Sequence, residues 1–124
     1  MKTYNFKAQF ADDVEHDQKL TTIRKAGKRP PPAVGENIRR YTGMRTKHCR
    51  CLGDRICTAV SPLRINSRAE IFLGGARLAS LDRVTLAVGD GFSSVKDFIN
   101  FFKDTHGLPF KGFLIRWAKK GMAI

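Results

Sequence analysis

The chain has few acidic residues, few cysteines and no long apolar stretch. Its 124 residues include 11 Asp and Glu against 23 Lys and Arg, which gives a formal net charge of +12. The three cysteines are odd in number, and this fits reduced thiols better than a disulfide framework. No segment approaches the roughly 18 consecutive apolar residues of a membrane span, and the first residues lack the apolar run of a signal peptide. We therefore expect a cytoplasmic protein without a membrane partner.

The composition predicts one folded domain over residues 1–124. Hydrophobic residues make up 42% and aromatic residues 10% of the chain, so a core can form although 27% of the residues are charged. A chain of this length suits one core rather than two. No linker, repeat or low-complexity tract divides the sequence.

The basic residues are concentrated between residues 18 and 57. This segment has only Glu36 and Asp54 against eleven basic residues: Lys19, Arg24, Lys25, Lys28, Arg29, Arg39, Arg40, Arg45, Lys47, Arg50 and Arg55. A positive potential of this kind attracts polyanions, of which nucleic acid is the commonest in cells. The alternative is a solvated basic surface that binds nucleic acid adventitiously.

The pattern of apolar and turn residues predicts an α+β fold with a largely antiparallel, barrel-like sheet. Extended segments are predicted at 4–6, 20–24, 36–41, 49–60, 63–65, 70–78 and 110–117, the last of them central. Pro62 should end or bend its strand, and 25–34 should form an extended basic loop containing three consecutive prolines. Helices are predicted at 8–17 and from the cap at Ser93 or Ser94 to Gly107, while 80–88 is ambiguous.

The segment 19–24, Lys-Leu-Thr-Thr-Ile-Arg, places an amine, two hydroxyls and a guanidinium around one short strand. An amine of lowered pKa can take a hydroxyl proton and let the oxygen attack a carbonyl, so Lys19 and Thr22 are a candidate reactive pair. Strand alternation puts them on opposite faces unless Lys19 precedes the regular pleating. Asp90, expected at an exposed loop tip between two glycines, could orient the pair. The alternative is an edge strand facing water, with Asp90 a simple turn residue.

Other polar and aromatic residues are candidates for ligand contacts. Arg24, Tyr41 and Arg45 could grip a phosphate or stack on a base, and surface ion pairs or core packing are the alternatives. The remaining candidate phosphate contacts are Lys25, Lys28, Arg29, Arg39, Arg40 and Lys47. Helical spacing assigns Phe98, Phe101 and Phe102 to the core and not to base stacking, and Trp117 also belongs to the core. The spacing of His48, Cys49, Cys51 and Cys57 is unlike that of a zinc site, so we predict neither a metal nor a cofactor.

In these motifs the sequence resembles the ASCH domain, a small family of the PUA-like superfamily, over nearly the whole chain. The motif with most weight is Lys-x-x-Thr-Ile-Arg at 19–24 with Gly-Glu following at 35–36. The other matching segments are 10–13, 41–46, 90–92, Phe98 and 113–117.

The resemblance implies a twisted β-barrel with flanking helices and a cleft suited to RNA, a nucleotide or a modified base. Some members of that family hydrolyse the acetyl amide of N4-acetylcytidine with a Lys, a Thr and a Glu, and others have been linked to RNA cleavage. By position, Lys19 matches the lysine and Thr22 the nucleophilic threonine. Asp90 stands where the hydrolases have a glutamate, and its side chain is one methylene shorter.

Three functions follow as hypotheses. The first, which we favour because the charge is intrinsic to the chain, is a module that binds RNA or another nucleic acid or a nucleotide through a basic cleft. The second is an amidohydrolase that deacylates N4-acetylcytidine-type nucleosides, with Thr22 attacking and Lys19 as base. The third is a protein that binds an acidic protein partner through the same basic surface.

Overall fold

Seven strands and three helices follow one another along residues 1–122, the part of the chain that the computed structural model describes. The strands are β1 (Lys2–Phe6), β2 (Thr21–Lys25), β3 (Asn37–Thr42), β4 (Arg50–Ile65), β5 (Ile71–Leu73), β6 (Ala76–Arg77) and β7 (Phe110–Trp117). The helices are α1 (Ala8–Glu15), α2 (Ser80–Gly89) and α3 (Val95–His106). The predicted α+β class is confirmed.

The long strand β4 organises the sheet. Its first half pairs with β3 and its second half with β7, both antiparallel, while its last three residues also pair with β5. β1 adds to β3 as a parallel neighbour, and β2 adds to β7 as an antiparallel one. The sheet is therefore mixed, and within residues 1–122 it is not closed, because β1 and β2 do not pair with each other. The predicted barrel is not confirmed.

Two predictions about β4 and its partner strand can be compared with the structure. Pro62 does not end the strand, because β4 continues through it to Ile65. Proline lacks an N–H, but the carbonyl of Pro62 still accepts a hydrogen bond from the Gly74 N–H at 2.9 Å. The prediction that β7 is central is confirmed, since it lies between β4 and β2.

The helices cover the sheet with aromatic and aliphatic side chains. Helix α3 begins as predicted at Ser94, whose hydroxyl accepts a hydrogen bond from the Asp97 N–H at 3.1 Å, and it ends before Gly107. Phe98, Phe102 and Trp117 are buried, as expected for core residues. The ambiguous segment proves to be helix α2, of which only Ala87 is buried. No helix within residues 1–122 has the length and apolar character that crossing a bilayer requires.

Candidate functional site

A cavity of about 350 Å³ opens where the edges of β1 and β2 approach without pairing. Helices α1 and α3 close its other sides. Its lining consists of Asn5, Phe6, Lys7, Phe10, Lys19, Thr22, Ile23, Arg24, Lys25, Asp90, Phe92, Phe101, Phe102, Thr105 and His106. A volume of this size lies within the range of small-molecule sites. Lys19, Thr22 and Asp90 all line the cavity, and Lys19 contacts Asp90, whereas within residues 1–122 no hydrogen bond joins Thr22 to either of them.

Lys19 lies in the link between α1 and β2, before regular pleating begins at Thr21. Strand alternation therefore does not apply to it, and its side chain reaches the same cavity as that of Thr22. Only 4% of the side chain is exposed. Its Nζ donates to the Asp90 carbonyl oxygen at 2.6 Å and to Asp90 Oδ1 at 2.7 Å. The amine thus has a fixed position at the base of the cavity.

Asp90 corrects one prediction of the sequence. It was expected at an exposed loop tip, but it is buried, because 80–89 is helical and Asp90 is the C-cap of α2. The next residue, Gly91, has φ +94°, and a Cβ there would come within 3.1 Å of Phe10 Cδ1 and 3.2 Å of Lys19 Cδ. The turn therefore packs directly on Lys19, which is why the short aspartate side chain reaches the amine.

Thr21 is a site residue that the sequence analysis did not select. Its hydroxyl donates to Asp90 Oδ1 at 2.7 Å, the same oxygen that accepts from Lys19. Thr21 lies two residues from Lys19, and this spacing was the available signal. Burial raises the pKa of Asp90, and the hydrogen bonds from Lys19 and Thr21 oppose that rise. Burial also lowers the pKa of Lys19 against the attraction of Asp90, so the neutral amine is more accessible than in an exposed lysine.

Arg24 connects the cavity to the open edge of the sheet. Its Nε donates to Thr22 Oγ1 at 3.0 Å, and its Nη2 donates across to the carbonyl oxygen of Asn5 in β1 at 2.9 Å. The guanidinium lies 4.9 Å from the ring centres of both Tyr4 and Phe6. Burial lowers the pKa of Arg24 to about 10, which leaves it charged at neutral pH. Thr22 accepts from Arg24, and its own proton remains available to a group in the cavity.

Aromatic rings form another wall of the cavity, next to Lys19, whose Nζ lies 5.1 Å from the centre of the Phe10 ring. Phe10 and Phe92 meet edge to face with centroids 5.2 Å apart, and Phe101 lies 5.9 Å from Phe10. Phe98 belongs to the core as predicted, whereas Phe101 and Phe102 also line the cavity, contrary to their assignment as core residues only. The helical spacing of these phenylalanines did not distinguish the two positions, because α3 faces both the core and the cavity.

Two further cavity residues were not identified from the sequence. Lys7 Nζ lies 4.8 Å from the centre of the Phe101 ring, so this cation covers the aromatic wall. His106 lines the cavity at the end of α3, and burial, followed by nearby cations including Lys25, lowers its pKa. The imidazole is therefore neutral at pH 7 and can donate or accept a hydrogen bond.

The predicted ligand contacts in β2 and the basic loop differ in their relation to the cavity. Arg24 and Lys25 line the cavity, and the exposed Lys28 and Arg29 follow in the loop after β2. Arg29 donates through Nη2 to the Thr3 carbonyl oxygen at 2.6 Å. This bond attaches the loop to β1.

Arg40 is a correction to the predicted surface contacts. Its side chain is fully buried and donates to three backbone carbonyls, at 3.1 Å to Gly53, 2.8 Å to Val14 and 2.7 Å to Leu52. It also lies 5.4 Å from the Trp117 ring. A guanidinium engaged in this way cannot contact a phosphate at the surface. Arg40 lies two residues after the buried Ile38 in β3, so the two side chains share one face of the strand, and this spacing was the signal for an inward orientation.

The other predicted contacts lie away from the cavity. Arg39 forms two hydrogen bonds with the Asp54 carboxylate, at 2.9 and 3.0 Å. Tyr41 is half-buried in β3, and Arg45 and Lys47 are exposed in the turn between β3 and β4. None of these four residues lines the cavity. The concentration of basic residues in the sequence therefore does not form one continuous surface.

The cysteines are free and differ in exposure. Cys57 is buried, whereas Cys49 and Cys51 are exposed. Within residues 1–122, no three His, Cys, Asp or Glu side chains lie close enough together to hold a metal ion.

Comparison with known proteins returns no relative. No protein-family model, curated protein or solved structure matches the chain. The resemblance to the ASCH domain therefore stays a prediction from the motifs. The function must be argued from the side chains that surround the cavity.

Proposed function

We propose that the protein is an ASCH-like module that binds RNA or a nucleotide by taking one base into the cavity beside Thr22. The supporting observation is the composition of that cavity, in which an aromatic wall adjoins a buried polar floor and cations surround the opening. We also propose that the sheet is a barrel of the ASCH type opened between β1 and β2. The hydrogen bond from Arg24 to Asn5 spans this opening.

The wall and floor fit the two kinds of surface that a base presents. One flat face of the base can pack on Phe101 when the Lys7 side chain moves off that ring, and base stacking on an aromatic ring contributes about 1–3 kcal/mol. Its polar edge can meet the Thr22 hydroxyl and the Asp90 carboxylate. Asp90 Oδ1 is occupied by two donors, and no donor within residues 1–122 bonds to Oδ2. Asp90 Oδ2 can therefore accept a hydrogen bond from an exocyclic amine of the base.

The opening carries positive charge that no cavity carboxylate other than Asp90 neutralises. Lys7, Arg24 and Lys25 line the cavity together with that one acid, which Lys19 already engages. A cationic opening favours the phosphates on either side of a bound base. Binding should therefore weaken steeply with added salt.

Fluorescence anisotropy of labelled single-stranded RNA, duplex RNA and DNA over a salt series tests the proposal. We expect salt-dependent binding of single strands, weakened about tenfold or more in Phe101→Ala because one stacking surface is lost. Phe72→Ala is the matched control, since this half-buried phenylalanine lies on β5, outside the cavity. Absence of binding at low salt, salt-independent binding, or equal effects of both variants would refute the proposal.

A second candidate function, deacylation of N4-acetylcytidine-type nucleosides, is favoured by one specific observation. Lys19 has a lowered pKa in the cavity that contains Thr22, and Asp90 holds its Nζ in place. Neutral Lys19 would take the Thr22 proton as Oγ1 attacks the acetyl carbon. The C–N4 bond would then break, with the proton passing to the departing nitrogen, and water would release acetate from the acetylated threonine. The Arg24 N–H to Oγ1 would stabilise the developing alkoxide.

Release of cytidine from N4-acetylcytidine, followed by chromatography, tests this second function. Thr22→Val removes the nucleophile at nearly constant volume, and turnover should fall at least 100-fold. Thr85→Val is the control, because Thr85 lies on α2 and its hydroxyl, within residues 1–122, bonds only to the Leu81 carbonyl in its own helix. Turnover unchanged in Thr22→Val, or no turnover by the unmodified protein, would exclude the hydrolase.

The third hypothesis, an acidic protein partner, makes a separate prediction. Partners that the protein binds directly should remain after nuclease treatment of a lysate, whereas partners bridged by RNA should disappear. If we are right about RNA binding, affinity capture before and after nuclease will show loss of the captured proteins. Capture that resists nuclease would favour the third hypothesis over the first.

A further inference from the structure

We propose that a second cavity, of about 230 Å³, is a phosphate subsite of the same ligand site, which makes the ligand a nucleotide or an RNA phosphate rather than a free nucleoside. Arg24, Lys25 and Arg29 supply its cations, and Tyr4 and Pro31 contribute to its walls. The inference rests on the proposed function, because the subsite is assigned to the molecule whose base enters the larger cavity.

Two like charges contact the same aromatic ring and line the same cavity. The guanidinium carbons of Arg24 and Arg29 lie 4.9 and 4.7 Å from the centre of the Tyr4 ring. Lys25 adds a third cation, and no carboxylate lines this cavity. Like charges held near one another repel, and a bound anion would relieve that repulsion.

Within residues 1–122, the three cations also keep N–H groups that bond to no acceptor. Arg24 uses Nε and Nη2, and Arg29 uses Nη2, in hydrogen bonds to the protein. Within residues 1–122 no acceptor bonds to Arg24 Nη1, to Nε or Nη1 of Arg29, or to Lys25 Nζ. Arg24 is fixed by two hydrogen bonds and Arg29 by one, and both also contact the Tyr4 ring. Guanidinium groups held in this way, with further N–H groups left over, suit a tetrahedral oxyanion.

The two cavities are adjacent and share part of their lining. Arg24 and Lys25 line both of them, so a ligand that fills the larger one can extend past these side chains into the smaller one. Pro31 belongs to three consecutive prolines that restrict the loop bearing Arg29. Arg29 is thereby held near β1, where it donates to Thr3.

Isothermal titration with cytidine, its 5′- and 3′-monophosphates and the dinucleotide CpA tests the subsite. We expect the unmodified protein to bind one phosphate-bearing ligand at least tenfold tighter than cytidine. A monophosphate preference would identify a nucleotide ligand, and a CpA preference an RNA phosphate. Arg29→Gln should abolish the gain and leave cytidine affinity unchanged, because Arg29 lines only the smaller cavity.

Arg68→Gln is the matched control for total charge, since Arg68 is an exposed arginine outside both cavities. It should retain the phosphate preference. Equal binding of cytidine and all the phosphorylated ligands would overturn the subsite while leaving the proposed function intact. Equal losses in Arg29→Gln and Arg68→Gln would overturn it as well, because the effect would then be one of net charge.

Inorganic phosphate gives a test that does not depend on base binding. In nitrogen-15 NMR spectra, phosphate should shift the Arg29 Nε–H signal of the unmodified protein and of Arg68→Gln. If neither cytidine nor any of its phosphorylated forms binds but this shift occurs, the proposed function fails and the anion subsite stands. If phosphate leaves the Arg29 signal unchanged, the subsite is refuted.

Discussion

On the β3–β4 side of the molecule, arginines lie opposite carboxylates, whereas on the β2 side they lie over aromatic rings. Arg39 pairs with Asp54 at 2.9 Å, and Arg55 pairs with Asp17 at 3.0 Å. On the β2 side, Arg24 and Arg29 face Tyr4, and no acid lines the cavity between them. The same residue type is therefore neutralised in one region and left as a source of positive potential in the other.

The difference shows why charge counted along the sequence did not locate the charged surface. The acidic residues near the N-terminus fold back onto β4, where Glu15 pairs with Arg50 and Asp17 with Arg55. Arg40 is removed from the surface altogether. The net charge of the segment 18–57 consequently overstates the positive charge of the β3–β4 side. Cations remain near the two cavities and, as the exposed Arg45 and Lys47, in the turn between β3 and β4.

The largest effect is expected from Arg40→Met, which tests whether arginines of the β3–β4 side are structural. The substitution leaves the carbonyls of Val14, Leu52 and Gly53 without their donor inside the protein. Each unsatisfied buried group costs about 1–3 kcal/mol, so we expect a loss of about 3 kcal/mol or more in the free energy of unfolding. Urea denaturation followed by circular dichroism measures it.

Arg39→Met is the matched control for Arg40→Met. Arg39 is the adjacent residue in β3, but its pair with Asp54 is exposed to water. Exposed pairs contribute little, so the midpoint of denaturation should hardly change. Similar losses in the two variants would show that the strand itself, rather than the buried hydrogen bonds, is sensitive to substitution.

The comparison also explains how much of the fold was predictable. β7 and α3 have strong local signals, an apolar run and a serine cap, and both were predicted correctly. Helix α2 was ambiguous because apolar residues lie on both of its faces, with Leu81, Val84 and Val88 exposed and Ala87 buried, so that no single apolar face marks the helix. The continuation of β4 through Pro62 depends on tertiary pairing that no local pattern contains.

The site was predictable in its residues but not in its geometry. The hydroxyl and amine groups near β2 were evident in the sequence, whereas the contact of Lys19 with Asp90 joins residues 71 positions apart. The predicted exposure of Asp90 was wrong because its position depends on helix α2, and the sequence did not assign 80–88 to a helix. Phe101 and Lys7 could not be identified as cavity residues before the packing of α3 against β1 was known.

Gly91→Ala should have the second largest effect. It tests whether ligand binding requires Asp90, the acid that lines the larger cavity, to stay in contact with Lys19. Gly91 has φ +94°, and the added methyl would press on Phe10 and Lys19. We expect a loss of about 1–3 kcal/mol in stability and weaker ligand binding, because the turn holding Asp90 must shift. Thermal denaturation and anisotropy measure the two effects.

Gly27→Ala provides the comparison, since nothing lies within 4 Å of the position where its Cβ would stand. It should leave both stability and binding close to those of the unmodified protein. A Gly91→Ala protein that binds RNA normally would show that the position of Asp90 is not important for the ligand.

The third largest effect is expected in the pH dependence of stability, which tests the ion pair between Asp17 and Arg55 on the β3–β4 side. Burial raises the pKa of Asp17, but hydrogen bonds from Arg55 and the Lys120 N–H outweigh this and lower it overall. Stability from a lowered carboxylate pKa is present above the unfolded value of about 3.9 and is lost as the pH falls through the lower folded value. The melting temperature should therefore decrease as the pH is lowered past about 4. Asp17→Asn should reduce the accompanying loss in the free energy of unfolding by about 1 kcal/mol or less. A profile unchanged by Asp17→Asn would contradict this account.

The smallest effect concerns the salt dependence of RNA binding, where Lys25→Gln and Arg39→Gln remove one positive charge each. Lys25 lines both cavities and is exposed, so its loss should reduce the slope of log K against log salt by roughly one and weaken binding a few-fold. Arg39 is already neutralised by Asp54, and removing it exposes that carboxylate without removing a phosphate contact. Anisotropy with single-stranded RNA at several salt concentrations compares the two slopes. Equal changes in slope would mean that RNA contacts the β3–β4 side as closely as the cavities, because only a bound phosphate that displaces Asp54 could make Arg39 contribute as Lys25 does.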